Sequence, residues 1–349
     1  MSLFRNTAFD AHERVVFCHD DASGLNAIIA IHSTALGPAA GGCRVWAYPD
    51  EQAAVTDALR LSRGMSYKNA MAGLSLGGGK AVVLKPRDAA LSEAMLVAFG
   101  DVVESLRGDY ITAEDVGMSV AAMSTIASRT RHVAGLPTAG EAAGGDPSPK
   151  TAYGVLVGLK AAVAHRVGRD SLNGLSVAVQ GVGNVGFHLC RYLHEAGCRL
   201  FVADIDPDRA ERCRAEFGAT IAGLDDILFQ AVDIVAPCAL GAVLDEESIP
   251  KIQAAIVGGA ANNQLATDGD GENLRERGIL YCPDYVINAG GIISVALEYE
   301  GGSTDEAVMR RIDGIGERLR DVFRRAERDG APTNRVADDM ARQIIAAAA

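Results

Sequence analysis

Several features that mark specialised classes of protein are scarce or missing in this chain of 349 residues. No run approaches the roughly 18 uninterrupted apolar residues of a membrane span. The first residues include Arg5, Asp10 and Glu13, so they do not resemble a signal peptide. Lys and Arg number 33 against 45 Asp and Glu, a net charge of −12 without a basic block. This charge argues against nucleic acid or an anionic membrane as the main partner.

Disulfide and metal-ligand patterns are also missing. The seven cysteines form no C-x-x-C pair, and their odd number does not suit a disulfide framework. In a chain of this length they are typical of reduced, mostly buried thiols in a cytoplasmic protein. His188 and His194 are six residues apart on a predicted helix, which is not the spacing of metal ligands. We therefore expect no metal site.

The composition that is present indicates a globular protein with a packed core. Apolar residues make up 48% and charged residues 22% of the chain, and the length suggests two domains. Glycine is unusually frequent, with 39 of 349 residues, or about 11% against the usual ~7%. Because the extra glycines are clustered, the clusters are the first places to search for a functional site.

The second half of the chain alternates strands and helices. Strands are predicted at 175–180, 200–204, 234–236 and 255–258, and helices at 151–165, 184–196 and 207–217. This alternation indicates an α/β fold with a doubly wound parallel sheet. Ser303 and Glu306 form a capping-box pattern before a helix that Gly330 and Pro332 end. Its apolar stripe is Val308, Ile312, Ile315, Leu319 and Val322, and an Ala-rich helix follows at 335–349.

The first half contains strands, helices and two glycine clusters. In chain order the pattern predicts strands at 15–17 and 27–31, a glycine-rich turn at 37–42, a helix at 51–65, a glycine cluster at 73–79, a strand at 81–84, a helix at 91–106 and a strand from 110 that ends at Glu114-Asp115. Residues 134–149 are rich in Pro and Gly, so they are the best candidate for an interdomain connection.

The sequence GVGNVG at residues 181–186 follows a predicted strand and opens a helix. In this setting the first glycine permits a tight turn, the second lets the backbone approach a pyrophosphate, and the third allows close helix–strand packing. The helix N-terminus then offers N–H groups to the phosphates. Asp204 ends the next strand, where it suits the ribose hydroxyls and would repel a 2′-phosphate, which favours NAD over NADP. Arg209 and Arg212 lie a few residues further on and make the preference for NAD over NADP weaker.

Two lysines flank the second glycine cluster. Lys68 lies before it and Lys80 directly after Gly79. The glycines let a small ligand approach the backbone, one lysine can pair with a ligand carboxylate, and the other can become a base if burial lowers its pKa. Asp115, at a strand end, is a candidate proton-transfer partner.

The ordered motifs resemble the Glu/Leu/Phe/Val amino-acid dehydrogenases, most closely the leucine and phenylalanine enzymes. The blocks that carry this resemblance extend over nearly the whole chain: LGPAAGGCR (36–44), GMSYKN (64–69), LGGGK (76–80), TAEDVG (112–117), GDPSP (145–149), GVGNVG (181–186), PCALG (237–241), GAANNQL (259–265) and PDYVINAGG (283–291). The resemblance implies reversible, NAD-dependent oxidative deamination of an L-amino acid to a 2-oxo acid and ammonia.

The resemblance also implies a role for each matching residue. Lys80 would be the general base that activates water, and Asp115 would shuttle protons at the amino group. The substrate would be bound by Lys68, Gly41, Gly42, Asn262 and Asn263, with a side-chain pocket at Ala40, Ala113, Ile292 and Val295. The cofactor would be bound by Gly181, Gly183, Asn184, Val185, Gly186, Asp204, Thr151, Asn288, Cys238 and Ala239.

The pocket positions favour a branched aliphatic substrate, most of all leucine, over an aromatic one. Ala40 replaces the leucine that is typical of leucine enzymes and leaves room for a ring, whereas the larger side chain of Ile292 reduces the volume of the pocket. One methylene more or less in a pocket changes the difference in binding free energy between two substrates by only ~1–3 kcal/mol, so mixed specificity is expected. No Lys or Ser stands in this wall to bind an acidic side chain, which argues against glutamate. Phenylalanine is the alternative, and tryptophan is a further one.

Two other classes of protein were weighed against an enzyme of this family. An NAD-binding regulatory homologue without activity would be expected to lack Lys80 or Asp115, and both are present. A hydroxy-acid dehydrogenase would need a His–acid pair near the substrate, and the seven histidines stand in no such motif.

The expected architecture has two domains with an active-site cleft between them that closes to control the access of water. Residues 1–134, rejoined by 331–349, are assigned to substrate binding and oligomerisation, and 135–330 to an NAD-binding Rossmann domain. The resemblance implies a homo-oligomer.

Overall fold

The computed structural model describes residues 3–85, 91–136, 146–239, 241–301 and 303–349. The chain forms two compact units, which are defined by contacts within each. Unit 1 comprises Met1–Gly145, Val295–Asp305 and Ala341–Ala349, and unit 2 comprises Asp146–Ser294 and Glu306–Met340. Most of the predicted interdomain connection, 137–145, lies outside the described residues. Within the described ranges, no helix is both long and apolar enough to cross a membrane.

Unit 1 contains a five-stranded mixed sheet. Its strands are β1 (Arg14–Asp20), β2 (Leu25–Ser33), β3 (Ala39–Trp46), β4 (Gly77–Leu84) and β5 (Tyr110–Ala113). The order in the sheet is β1-β2-β4-β3-β5. β2 pairs antiparallel with β1 and β4, whereas β3 pairs parallel with β4 and β5. In this parallel part of the sheet the end of β5 is level with the middle of β3 and of β4.

Helices cover both faces of this sheet. They are α1 (Glu51–Met71), α2 (Glu93–Ser105) and α3 (Val120–Ala127). Ile28 and Val82 on one face pack in a cluster with Leu59 of α1, and the alternate residues of the same strands pack with α2 and α3. This is the two-residue period of a strand that is buried on both faces. The side chain of Asp50 starts α1 by accepting a 2.8 Å hydrogen bond from the Ala53 N–H.

Unit 2 contains a six-stranded sheet in which all pairs are parallel. Its strands are β6 (Ser176–Gln180), β7 (Arg199–Ala203), β8 (Thr220–Ile221), β9 (Ile234–Pro237), β10 (Ile256–Val257) and β11 (Leu280–Tyr281). The order β11-β10-β9-β6-β7-β8 reverses direction at β6. Such a switch point is where doubly wound sheets bind ligands.

Of the remaining helices, one precedes the strands of unit 2, three alternate with them and four follow them in the chain. They are α4 (Ser148–Val167), α5 (Asn184–Glu195), α6 (Pro207–Phe217), α7 (Asp270–Glu276), α8 (Asp284–Ile287), α9 (Gly290–Glu300), α10 (Asp305–Asp329) and α11 (Thr333–Ala348). The predicted α/β class is confirmed, and α6 matches its prediction residue for residue. All five residues of the apolar stripe predicted for α10 are buried.

The glycine-rich turn predicted at 37–42 is wrong, because β3 begins at Ala39 and includes Gly41 and Gly42. A Cβ on Gly41 would lie 1.9 Å from the carbonyl oxygen of Gly79, so the glycine allows close strand contact. Helix α1 also continues beyond the predicted end at 65 as far as Met71. Short elements such as α3, α7 and β11 carried no periodic signal that could be detected.

The observed units differ from the sequence-based boundaries at the C-terminus. Residues 331–349 were assigned together to the first domain, but those up to Met340 belong to unit 2. The Thr333 hydroxyl donates to the carbonyl oxygen of Tyr281 at 2.8 Å, and the Tyr285 hydroxyl donates to Asp338 at 2.7 Å. These contacts attach the start of α11 to unit 2.

Leu319→Ala should destabilise unit 2, because Leu319 is fully buried in the α10 stripe. Removing it leaves a cavity and should lower the free energy of unfolding by about 3 kcal/mol. Glu317→Ala, at an exposed position of the same helix, is the matched control. Urea denaturation followed by circular dichroism measures both. Equal stabilities of the two variants would contradict the packing described for α10.

Candidate active site

Glycines bring α1 and the parallel strands of unit 1 into close contact. A Cβ on Gly78 would lie 2.0 Å from the backbone nitrogen of Ser66 in α1. The Asn69 side-chain amide donates to the carbonyl oxygen of Gly77 at 2.6 Å. This part of α1 also carries Lys68, which is half-buried. The glycine cluster therefore holds the lysine-bearing turn of α1 against β4.

Lys80 and Asp115 form a buried ion pair. Lys80 lies in β4 and is only 5% exposed, and its Nζ is 3.0 Å from Oδ2 of Asp115. β3 lies between β4 and β5 in the sheet. A Cβ on Gly42 of β3 would come within 2.8 Å of the Asp115 Cβ. Glycine at this position therefore leaves room for the aspartate beside the lysine.

Burial and charge set the protonation of this pair. Burial lowers the pKa of Lys80, although the charge of Asp115 opposes that shift. Burial alone would raise the pKa of Asp115, but the positive charges of Lys80 and Arg44 outweigh it and hold that pKa below its ordinary value. The pair thus combines an ionised carboxylate with an amine that loses its proton more readily than a surface lysine.

Arg44 is a member of this site to which the sequence analysis gave no role. Its Nε lies 3.1 Å from Oδ2 of Asp115, the oxygen that also meets Lys80, and its Nη1 lies 3.0 Å from Oδ2 of Asp57. The Tyr48 hydroxyl donates to the same Asp57 oxygen at 2.6 Å. The one available signal was its place as the only charged residue of the LGPAAGGCR block (36–44).

The strand register places two predicted pocket residues beside the glycines. Gly42 of β3 pairs with Ala113 of β5, and Ala40 pairs with Ile111. The other two pocket residues lie on α9, with Ile292 in unit 2 and Val295 in unit 1.

The GVGNVG turn adopts the expected strand–turn–helix geometry in unit 2. Gly181 has φ +86°, which favours glycine, and a Cβ on Gly186 would lie 2.0 Å from the Gly181 carbonyl oxygen. Gly183 is different, because the nearest atom to its Cβ would be Arg209 Nη1 at 3.5 Å, an ordinary contact. The protein itself has room for a side chain there, so this glycine fits a bound phosphate better than an internal packing need. Asn184 and Val185 begin α5 directly afterwards.

Asp204 follows β7 and is tied to the turn. Its Oδ2 accepts a hydrogen bond from the Val182 N–H at 2.7 Å, and its Oδ1 accepts one from Asp206 N–H at 2.9 Å. A pocket of about 240 Å³ lies at the same turn. Its lining residues are Asp146, Val182, Gly183, Asn184, Phe187, His188, Arg209 and Arg212. Backbone N–H groups at a helix N-terminus make this pocket suitable for phosphate groups.

Two other predicted cofactor residues, Cys238 and Ala239, directly follow β9 at the carboxyl edge of the sheet of unit 2. A Cβ on Gly181 would meet that of Ala239 at 2.6 Å, and Cys238 Sγ accepts a hydrogen bond from Ala260 N–H at 3.4 Å. A Cβ on Gly291 would lie 2.6 Å from the Thr151 hydroxyl oxygen.

Asn288 is almost fully buried and has one unsatisfied atom. Its Nδ2 donates to Asn262 Oδ1 at 2.8 Å and to the Ala260 carbonyl at 3.1 Å. Its Oδ1 is buried and has no hydrogen-bond partner within the described part of the protein. An orphaned acceptor of this kind fits a ligand that donates an N–H, such as the carboxamide of a nicotinamide. Asn262 and Asn263 are exposed, and Asn263 has φ +52°.

Among the described residues, no group of three or more His, Cys, Asp or Glu side chains could hold a metal ion. The ionisable groups that the structure gathers at this site of unit 1 are the buried amine of Lys80, the carboxylate of Asp115 and the flanking guanidinium of Arg44.

Comparison with known proteins gives the same assignment in both halves of the chain. Residues 12–132 match the family profile described as Glu/Leu/Phe/Val dehydrogenase, dimerisation domain, and residues 207–343 match the Glutamate/Leucine/Phenylalanine/Valine dehydrogenase profile. Leucine dehydrogenase of Bacillus subtilis (strain 168) is 49% identical over 99% of this chain and 94% of its own length. The chain belongs to the Glu/Leu/Phe/Val dehydrogenase family.

Relatives of this amino-acid dehydrogenase differ in the substrate that they are named for. L-tryptophan dehydrogenase of Nostoc punctiforme is 45% identical over 99% of this chain and 96% of its own length. The crystal structure of a protein so named from that organism aligns with a TM-score of 0.86 over 97% of both chains. Valine dehydrogenase of Streptomyces virginiae is 48% identical over 95% of this chain and 93% of its own length. The family resemblance seen in the motifs is confirmed.

Gly183→Ala in this dehydrogenase should keep the fold and weaken cofactor binding. Because a methyl group fits within the protein at this position, the melting temperature should stay within about 2 °C of wild type. The same methyl group would occupy the approach to the phosphates, so the dissociation constant for NADH should rise at least about tenfold.

Gly186→Ala is the matched control for this experiment, since its Cβ would collide with the backbone and should destabilise the protein itself. Fluorescence titration with NADH and thermal melts measure both variants. Unchanged NADH affinity in Gly183→Ala would show that the dinucleotide does not approach this turn.

Proposed function

We propose that this dehydrogenase catalyses the reversible, NAD-dependent oxidative deamination of an L-amino acid to a 2-oxo acid and ammonia, with leucine and other branched-chain amino acids preferred. The observation that carries the chemistry is the buried Lys80–Asp115 pair, with Nζ and Oδ2 3.0 Å apart. A lysine with a lowered pKa beside an ionised carboxylate provides the base and the proton carrier that this reaction needs. Leucine dehydrogenases at 49–50% identity support the substrate class.

Substrate binding is assigned to residues around the glycine strands. The ammonium group of Lys68 pairs with the substrate carboxylate, and the backbone of Gly41 and Gly42 is assigned to contacts with the same amino acid. Asn262 and Asn263, both exposed, add amide contacts. An amine–carboxylate pair orients Cα without taking part in proton transfer.

Proton transfer is assigned to the ion pair. The nicotinamide of NAD supplies the hydride acceptor when it is bound. The Asp115 carboxylate accepts a proton from the substrate ammonium, so that the amine can become an iminium. The neutral amine of Lys80 then takes a proton from the water that adds to this carbon. Asp115 returns its proton to the departing ammonia and takes up the hydroxyl proton of the carbinolamine as the C–N bond breaks and the carbonyl forms, which leaves the 2-oxo acid.

NAD rather than NADP is proposed as the cofactor. Asp204 places a carboxylate beside the turn, where it would repel a 2′-phosphate. Both nearby guanidiniums are already paired with acids. Arg209 Nε is 3.2 Å from Asp206 and Arg212 Nε is 2.7 Å from Glu216, which reduces their attraction for a further phosphate. Thr151 and Asn288 are assigned to the nicotinamide end, and Cys238 and Ala239 to the wall of the dinucleotide site.

The side-chain pocket is assigned to Ala40, Ala113, Ile292 and Val295, all of them apolar. A wall of this kind favours an aliphatic side chain and offers nothing to an acidic one. Phenylalanine is the second candidate, because the small side chain of Ala40 leaves room for a ring. Tryptophan is a third, since a named tryptophan dehydrogenase is 45% identical to this chain.

We further propose that the protein is a cytoplasmic homo-oligomer. All seven cysteines are free thiols, which is typical of a reducing compartment. The profile that matches residues 12–132 is described as a dimerisation domain, and one solved relative, from Thermus thermophilus, is described as hetero-hexameric.

Lys80→Gln should strongly reduce turnover while the protein still binds NADH. Without the base, kcat/KM for leucine should fall by about 10²–10⁴-fold. NADH formation at 340 nm measures this with leucine, valine, phenylalanine, tryptophan and glutamate, and with NAD or NADP. Lys160→Gln, at an exposed position of α4, is the control that should retain wild-type rates.

Three outcomes would contradict parts of this proposal. Faster turnover of phenylalanine or tryptophan than of leucine would keep the reaction and change the substrate. Equal rates with NADP would remove the role of Asp204. Wild-type protein that binds NADH but oxidises none of these amino acids would contradict the reaction itself.

A further inference from the structure

Four charged side chains in unit 1 are linked by ion pairs into a continuous charge network. Lys80 meets Asp115 at 3.0 Å, Asp115 meets Arg44 at 3.1 Å, and Arg44 meets Asp57 at 3.0 Å. Tyr48 completes it with a 2.6 Å hydrogen bond to Asp57. The side chains of Arg44 and Asp57 are both about one-quarter exposed, so water screens the charges of this network only in part.

In the proposed reaction Asp115 loses the positive charge beside it, and Arg44 supplies another. When Lys80 loses its proton to act as a base, Asp115 loses the positive charge of its nearest partner. A buried carboxylate without a compensating charge is costly, so the protein would resist this step and keep the proton on Lys80. Arg44 remains charged at every relevant pH, and its Nε contacts the same oxygen of Asp115.

We propose that Arg44 is a positioning residue, which holds Asp115 beside Lys80 and supplies the positive charge that Asp115 needs while Lys80 is neutral. This inference rests on the proposed function of the pair. Asp57 balances the charge of Arg44 and orients its guanidinium, and Tyr48 holds Asp57 in turn. Arg44 acts through Asp115 and not on the substrate.

The other titratable groups that face this charge network stay uncharged. Burial raises the pKa of the Cys43 thiol on β3 and that of Tyr110 on β5 well above their ordinary values. Burial and the hydrogen bond to Asp57 likewise raise the pKa of Tyr48. The charges that act directly on Lys80 are therefore those of Asp115 and Arg44, and Asp57 acts through its ion pair with Arg44.

Arg44→Gln and Asp57→Asn should move the pH profile of kcat/KM for leucine in opposite directions. Loss of the Arg44 cation favours protonated Lys80, so the acid limb of oxidative deamination should move to higher pH by about one pH unit. Loss of the Asp57 charge leaves Arg44 unopposed, so the limb should move to lower pH by a smaller amount. The amide that replaces the Asp57 carboxylate keeps an oxygen that accepts from Arg44, which limits the structural change. Arg44→Lys retains the charge and should restore much of the wild-type profile.

Arg129→Gln is the matched control, because Arg129 pairs with Asp101 at 2.7 Å on the exposed surface of the same unit. Its profile should equal that of wild type. A purely structural role of Arg44 would lower kcat/KM without moving the limb, or would move both variants the same way, and either result overturns the inference.

The design also separates this inference from the proposed function. If Arg44→Gln does not fold, Asp57→Asn decides alone, and a limb that does not move to lower pH overturns the inference. Wild-type turnover with an unmoved limb in the variants rejects only the role of Arg44. No wild-type turnover of any amino acid rejects the proposed reaction and the inference together.

Discussion

The burial of one lysine amine against one carboxylate is the constraint on which the functional half of unit 1 depends. Lys80 is 5% exposed, and an ammonium group in that position would be costly without Asp115 at 3.0 Å. That approach in turn requires a strand without a side chain between them, which Gly42 provides. The ion pair therefore depends on the glycine-rich strands. It also depends on Arg44, whose charge lets the Asp115 carboxylate stay ionised whether the Lys80 amine is protonated or neutral.

In the proposed function unit 2 meets a different constraint, which is that backbone N–H groups face a phosphate of the cofactor. Gly181 and Gly186 are required by the turn itself, since a side chain on either would meet protein atoms at less than 3 Å. Gly183 is not required in this way, which supports its proposed place beside the phosphates of the cofactor. Asp204 stabilises the turn through the Val182 N–H and keeps lone pairs for a ribose hydroxyl.

Local patterns predicted much of the fold but little of the charge network. The stripe of α10 and the bounds of α6 follow from helical periodicity and capping, which act within a few residues. Gly41 and Gly42 were misassigned to a turn, because glycine that permits close strand contact is indistinguishable in sequence from glycine that bends the chain. The contact of Arg44 with Asp115 joins residues 71 positions apart, so no local pattern could indicate it.

The most direct test is the pKa of Lys80 itself, measured by NMR from the Cε signals of ¹³C-labelled lysine as the pH is raised. The Lys80→Gln variant assigns the signal by its absence. Burial predicts that this signal titrates below the ordinary lysine value of 10.5. A titration at or above 10.5 would contradict the account, because Lys80 would then remain a charged partner of Asp115 and could not serve as the base.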